Sequence, residues 1–173
     1  MNRFIVGMVV LGSIAAAGPI TYTETATATG TIGNQVFTSA LLTFNFTGDT
    51  SNVTGAAPFF VISATGATVN IAGIGTATVT DSGIEVFVNE TFSPPAAGFG
   101  GGAGSILDTF DTAFAPYALT TAIGPITGTS FIRSDLTFAT TLGGLNISSA
   151  GNATFTAITG VPEPLSVTTL IFP

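Results

Sequence analysis

The stretch PITYTETATATGT, residues Pro19 to Thr31, puts Thr21, Thr23, Thr25, Thr27 and Thr29 on one side of an extended chain. Ile20, Tyr22, Glu24, Ala26 and Ala28 fall on the other. Successive side chains of a β-strand point to opposite faces. A period of two over this length therefore predicts a strand with its threonines in water and its other side in a core.

The same pattern recurs outward from this strand. ALLTFNFTG places Ala40, Leu42, Phe44 and Phe46 on one side, and an Asx-rich turn follows it. PFFVISA, ATVNIAG, GTATVT and IEVFVNET are short, β-branched or aromatic, and bounded by Gly, Pro or Asp, which predicts consecutive strands. Asp81-Ser82-Gly83 is expected to turn the last two into a hairpin. SPPAAGFGGGAGS, Ser93 to Ser105, reads as a flexible loop. SILDTFDTAFAPY predicts one short helix near 106–115. There Ser105 is the N-cap with Asp108 three residues on, Ile106, Phe110 and Phe114 recur every fourth position, and Pro116 closes the turn. SFIRSDLTFATTL, LNISSA and GNATFTAI add three strands. The expected fold is all-β: an antiparallel β-sandwich or jelly-roll-like domain over residues 18–160. A β-solenoid would need a constant repeat, and no constant period is present.

Composition narrows the chemistry. The 173 residues suffice for one domain with a real core. Charged residues are 6% of the chain against roughly 25% in ordinary globular proteins. Thr, Ser, Asn or Gly nevertheless interrupts every apolar run of the body before the roughly 20 residues that a spanning helix needs. Two basic residues face nine acidic ones. Nucleic acid and anionic lipid headgroups, whose binding rests on Lys and Arg, are excluded as partners. The chain has no Cys and no His, which removes disulfides and thiolate metal sites. With neither His nor Lys, a serine nucleophile has no base.

The acids of the body are Glu24, Asp49, Asp81, Glu85, Glu90, Asp108, Asp111 and Asp135, and most sit beside turn residues. They are expected to serve turns and caps, so no catalytic residue is assigned and the chain is read as a non-enzyme. Asp108 and Asp111 are weak candidates for a calcium site, because hard oxygen ligands suit Ca²⁺. No D-x-D-x-D-G loop accompanies them. No other metal and no cofactor is expected. The Thr-x-Thr runs at Thr21 to Thr31 and Thr76 to Thr80 resemble the ladders of some ice-binding proteins. Such a surface requires many threonines stacked in register across strands.

The two ends carry the destination. MNRFIVGMVVLGSIAAAG has a basic start at Arg3, an apolar run from Phe4 to Leu11, and small residues at Ala15, Ala16 and Ala17. That order predicts a secretory signal peptide over residues 1–17, recognised through Ala15 and Ala17 and cleaved before Gly18. Near the other end stands Val161-Pro162-Glu163-Pro164, followed by LSVTTLIFP. In an exported, Cys-free chain this motif resembles the start of a PEP-CTERM sorting signal. The resemblance covers residues 161–173. It implies a bacterial exported protein whose tail is handled by an exosortase-type membrane enzyme, in organisms that make exopolysaccharide and biofilm. Pro162, Glu163 and Pro164 match the recognition motif. Leu165 to Pro173 falls short of a membrane-spanning helix and has no basic cluster, so the tail is expected to be truncated and not to anchor the chain.

Together these readings predict a protein secreted or displayed at the cell surface, with a structural or adhesive role in extracellular matrix. Its partners would be the secretion machinery, an exosortase-type enzyme and exopolysaccharide. The alternative is a secreted polysaccharide-binding module, with or without calcium.

Overall fold

The computed structural model describes residues 17–102 and 104–160. The signal-peptide residues through Ala16 (Ala15 among them) and the motif Val161-Pro162-Glu163-Pro164 lie outside the described residues. The chain is all-β and antiparallel throughout, a single curled sheet folded into a sandwich-like arrangement. Among the described residues, twelve strands run in chain order: β1 (Pro19–Ile32), β2 (Gln35–Asp49), β3 (Val53–Ala56), β4 (Phe59–Ser63), β5 (Gly66–Ile71), β6 (Gly75–Thr78), β7 (Glu85–Asn89), β8 (Ala96–Gly101), β9 (Gly104–Phe110), β10 (Ile123–Ile132), β11 (Phe138–Thr140) and β12 (Gly143–Thr159). Across the sheet their order is β3-β4-β7-β8-β9-β10-β12-β1-β2-β5-β6, with β11 also on β12. No helix among the described residues is long and apolar enough to cross a membrane.

Strand β10 makes the corner between the two layers. Its first half, through Gly128, pairs with β12, and Thr129 to Ile132 pair with β9. Where the partner changes, a Cβ at Gly128 would lie 2.1 Å from the carbonyl oxygen of Phe110. Only glycine lets the two backbones approach this closely. One layer is thus β12, β1, β2, β5 and β6, and the other is β3, β4, β7, β8 and β9. At the far edge, backbone bonds from Thr65 to Thr47 and from Ala64 to Ile84 hold the layers together.

The core lies between the layers. In β1, Ile20, Tyr22, Glu24, Ala26, Ala28 and Ile32 are buried, while the threonines opposite are exposed or half-buried. Leu42, Phe44 and Phe46 of β2 are fully enclosed. Phe46 stacks on Phe99 of β8 at 3.8 Å between ring centroids. Phe99 and Phe155 then meet at 6.0 Å, and Phe155 takes Phe114 edge-on. This aromatic chain crosses from one layer to the other and back.

Four sequence expectations are corrected. The segment near 106–115 is not a helix: Gly104–Phe110 is strand β9, and only Thr112–Phe114 makes a single 3-10 turn. Ser105 does reach Asp108, but as hydroxyl to carboxylate across a bulge between Phe99 and Gly100 of the β8–β9 pair. Pairing to β8 and β10 on both sides outweighed the fourfold apolar spacing. Ser93 to Ser105 is not a loop. It contains β8, whose glycines alternate with Ala97 and Phe99, both in the core. Asp81-Ser82-Gly83 does not close a hairpin, since β6 pairs with β5 while β7 lies between β4 and β8. The turn crosses between layers instead, tied by the Ala139 amide donating to Asp81 at 2.6 Å. LNISSA and GNATFTAI form one continuous strand, β12.

Candidate functional site

The outer face of the β3–β9 layer carries side chains from alternate positions of its strands. Register aligns them in rows: Phe87, Gly98, Asp108 and Phe131 across β7 to β10; Glu85, Gly100 and Ser105 beside them; and Phe59, Asn89, Ala96 and Phe110 on the other flank. Glycine at 100, 101 and 104 leaves a trough beside the aromatic rings. A Cβ at Gly98 would sit 2.5 Å from Asp108 Oδ1 and from the Leu107 carbonyl, so the missing side chain is what admits the Asp108 carboxyl.

The result is a cleft of about 300 Å³ lined by Phe59, Glu85, Phe87, Asn89, Phe92, Asp108, Phe110 and Phe131 over the glycine floor. Phe59, Phe92 and Phe131 are 41%, 46% and 46% exposed, unusual for rings this large. Phe59 stacks on Phe87 at 6.1 Å, and Phe92 tilts onto Phe110 at 5.5 Å. Asp108 is only 3% exposed. Burial pushes its carboxyl up to about 7, against the lowering effect of the Ser105 hydrogen bond. Burial also raises Glu85 above the usual carboxylate range.

Behind the cleft, on the core side, Glu24 is fully enclosed. Its Oε1 accepts from the Thr109 hydroxyl at 2.5 Å and its Oε2 has no partner. Burial holds its carboxyl well above the ordinary value; the Thr109 bond opposes this and the charge of Asp108 adds to it.

The calcium pair does not converge. Asp108 turns into the cleft, while Asp111 caps the 3-10 turn by accepting from the Ala113 amide at 2.8 Å. No cluster of three or more acids among the described residues is arranged to hold a metal. Asp49 accepts from Ser51, Asp81 from Ala139 and Asp135 from Arg133, as turn and loop chemistry requires. Of the predicted cleavage residues, Ala17 is exposed, and Gly18 exchanges hydrogen bonds with Thr50. The composition that disguised β8 as a loop also hid the cleft, which that strand's Gly100 and Gly101 help to floor.

The opposite face meets the register condition set for a threonine ladder. Thr127, Thr154, Thr25, Thr43, Asn70 and Thr76 align across six adjacent strands, and Thr156, Thr23, Asn45, Thr68 and Thr78 across five. Neighbours bond along the rows: Thr127 with Thr154 at 2.7 Å, Thr23 with Asn45 at 2.9 Å, and Asn70 with Thr76 at 2.8 Å. Comparisons with family models, with curated proteins and with solved structures found no match to this chain.

Proposed function

We propose that the protein is an exported, non-catalytic module of the cell surface or extracellular matrix that adheres to exopolysaccharide through the cleft on the β3–β9 layer. One observation carries this reading. Exposed phenylalanines converge with Asn89, Glu85 and Asp108 over a glycine floor. Apolar walls with a few placed polar groups are the general form of a ligand site, and aromatic faces pack against the C–H faces of sugar rings. Export rests on the N-terminal pattern and on Val161-Pro162-Glu163-Pro164. Those residues suggest the secretion machinery and an exosortase-type enzyme as handling partners.

The test combines location with binding. An antibody to the body is expected to find the protein at the cell surface or in the medium. Purified full chain is expected to co-sediment with insoluble exopolysaccharide and to leave the polymer length unchanged. The double variant Phe59→Ala/Phe131→Ala should abolish co-sedimentation at unaltered melting temperature. Retention in the cytoplasm, or sedimentation indifferent to both rings, would defeat the proposal.

The register of the threonine face favours a second reading, binding to an ordered lattice of water such as ice. Strand spacing of about 4.8 Å and a same-face repeat of about 6.7 Å arrange stiff β-branched hydroxyls in two dimensions. Thermal hysteresis of the growing ice front is the measurement, and freezing with no hysteresis removes this reading.

A further inference from the structure

The cleft combines an aromatic rim with carboxylates, and the one basic side chain near it stands against Gly104 at its edge. Arg133 is the only basic side chain among the described residues, and Asp135 holds it bidentately at 2.9 and 2.8 Å. An anionic sugar would therefore meet two carboxylates, and the one guanidinium beside the cleft is already paired with Asp135. A cation would meet the opposite. Phenylalanine faces attract ammonium groups, and the formal charge of −7 draws cations toward the surface from a distance.

We infer that the ligand of this cleft is a polysaccharide bearing free amino groups, with an N-deacetylated hexosamine unit seated between the phenylalanine rings and its ammonium on Asp108 and Glu85. The inference rests on the reading of the cleft as a polysaccharide site and specifies its substrate class.

Geometry fits the two halves of such a unit. The Ser105 hydroxyl engages Asp108 Oδ1, and no described residue donates to Oδ2, which is left for an ammonium N–H. Glu85 lies on β7, two strands from Asp108 on β9, and both line the cleft. Phe87 and Phe131 bracket Gly98 and Asp108 in one row and offer apolar faces to the sugar ring. A volume of about 300 Å³ is at the small end of ligand pockets, suited to a short segment of a polymer. An N-acetylated unit lacks the charge and would turn an acetyl carbonyl toward carboxylates that cannot donate to it when ionised.

Other clusters do not compete. Glu24 is sealed in the core. Asp81, in the polar cleft with Ser63, Thr65 and Gly83, already accepts from the Ala139 amide.

Isothermal titration of the full chain at low salt, with four probes, decides the matter. These are a β-1,4-linked glucosamine hexasaccharide, its fully N-acetylated counterpart, a glucose hexasaccharide and a lysine hexapeptide. Saturable binding of the glucosamine oligomer, at least tenfold tighter than the other three, is expected. Glu85→Gln or Phe131→Ala should weaken it tenfold or more, with the melting temperature unchanged. Equal binding of the three sugars overturns the amine requirement and leaves the polysaccharide reading standing. Equal or tighter binding of the lysine peptide assigns the cleft to a basic protein segment and overturns the sugar. Binding that both variants leave intact is non-specific attraction to an acidic chain and overturns the site. Silence from all four overturns the inference and the reading beneath it together.

Discussion

Asp108 and Glu24 lie on opposite sides of one layer, and each is protonated more readily in the folded chain than when unfolded. An acid whose folded value is raised stabilises the fold fully below its unfolded value, and that stability is lost as pH rises through the folded value. The unfolded values are 3.8 and 4.5, and the folded value of Asp108 is about 7. Unfolding free energy should therefore fall as pH climbs from about 4 through 7, and further where Glu24 ionises. Each pKa unit corresponds to about 1.4 kcal/mol. Asp49 and Asp135, held low by Ser51 and Arg133, act in the opposite direction only under more acidic conditions. Melting followed by circular dichroism should give a lower midpoint at pH 8 than at pH 5. Asp108→Asn should flatten this dependence and raise the pH 8 midpoint. A midpoint rising from pH 5 to pH 8 would contradict the burial of both acids. Glu24's place on the buried face was legible from the alternation of PITYTETATATGT. Its hydrogen bond to Thr109, 85 positions away, was not, because that contact depends on which strands face each other.

Among the elements, β8 separates composition from environment most clearly. Its run AAGFGG reads as loop by residue type, yet it pairs with β7 and β9 along its length. Glycine is costly in an isolated strand. Here the flanking strands supply the hydrogen bonds, and the absent side chains form the cleft floor. Phe99→Ala should cost about 3–5 kcal/mol in guanidinium unfolding, as for a core phenylalanine; a loop position would lose within about 0.5 kcal/mol. A small loss would place Phe99 outside the core. The mistaken helix near 106–115 has a related cause. Ile106 is the extra residue of the β8–β9 bulge and lies in the core while Phe110 lines the cleft, so the fourfold spacing joins residues of opposite faces. β1, and β2 from Ala40 to Asp49, matched expectation because their side chains alternate there between buried and solvent-facing sides without a break.

At the scale of the whole molecule, one curled sheet presents two outer faces of different chemistry. One is a neutral field of Thr and Asn in register; the other is a cleft of phenylalanines and carboxylates. Composition, the period of two and the turn residues were enough to determine an all-β antiparallel domain, the water-facing threonines of β1, the buried rings of β2, and the poverty of basic groups. These properties are local, because alternation along a strand follows from backbone geometry alone. The order of strands, the corner at Gly128, the layer crossing at Asp81 and the convergence of Asp108 with Phe131 and Glu85 were decided only by tertiary structure. Each depends on which distant segments share backbone hydrogen bonds, and that choice is made by packing two layers around one aromatic core rather than by any residue's own preference.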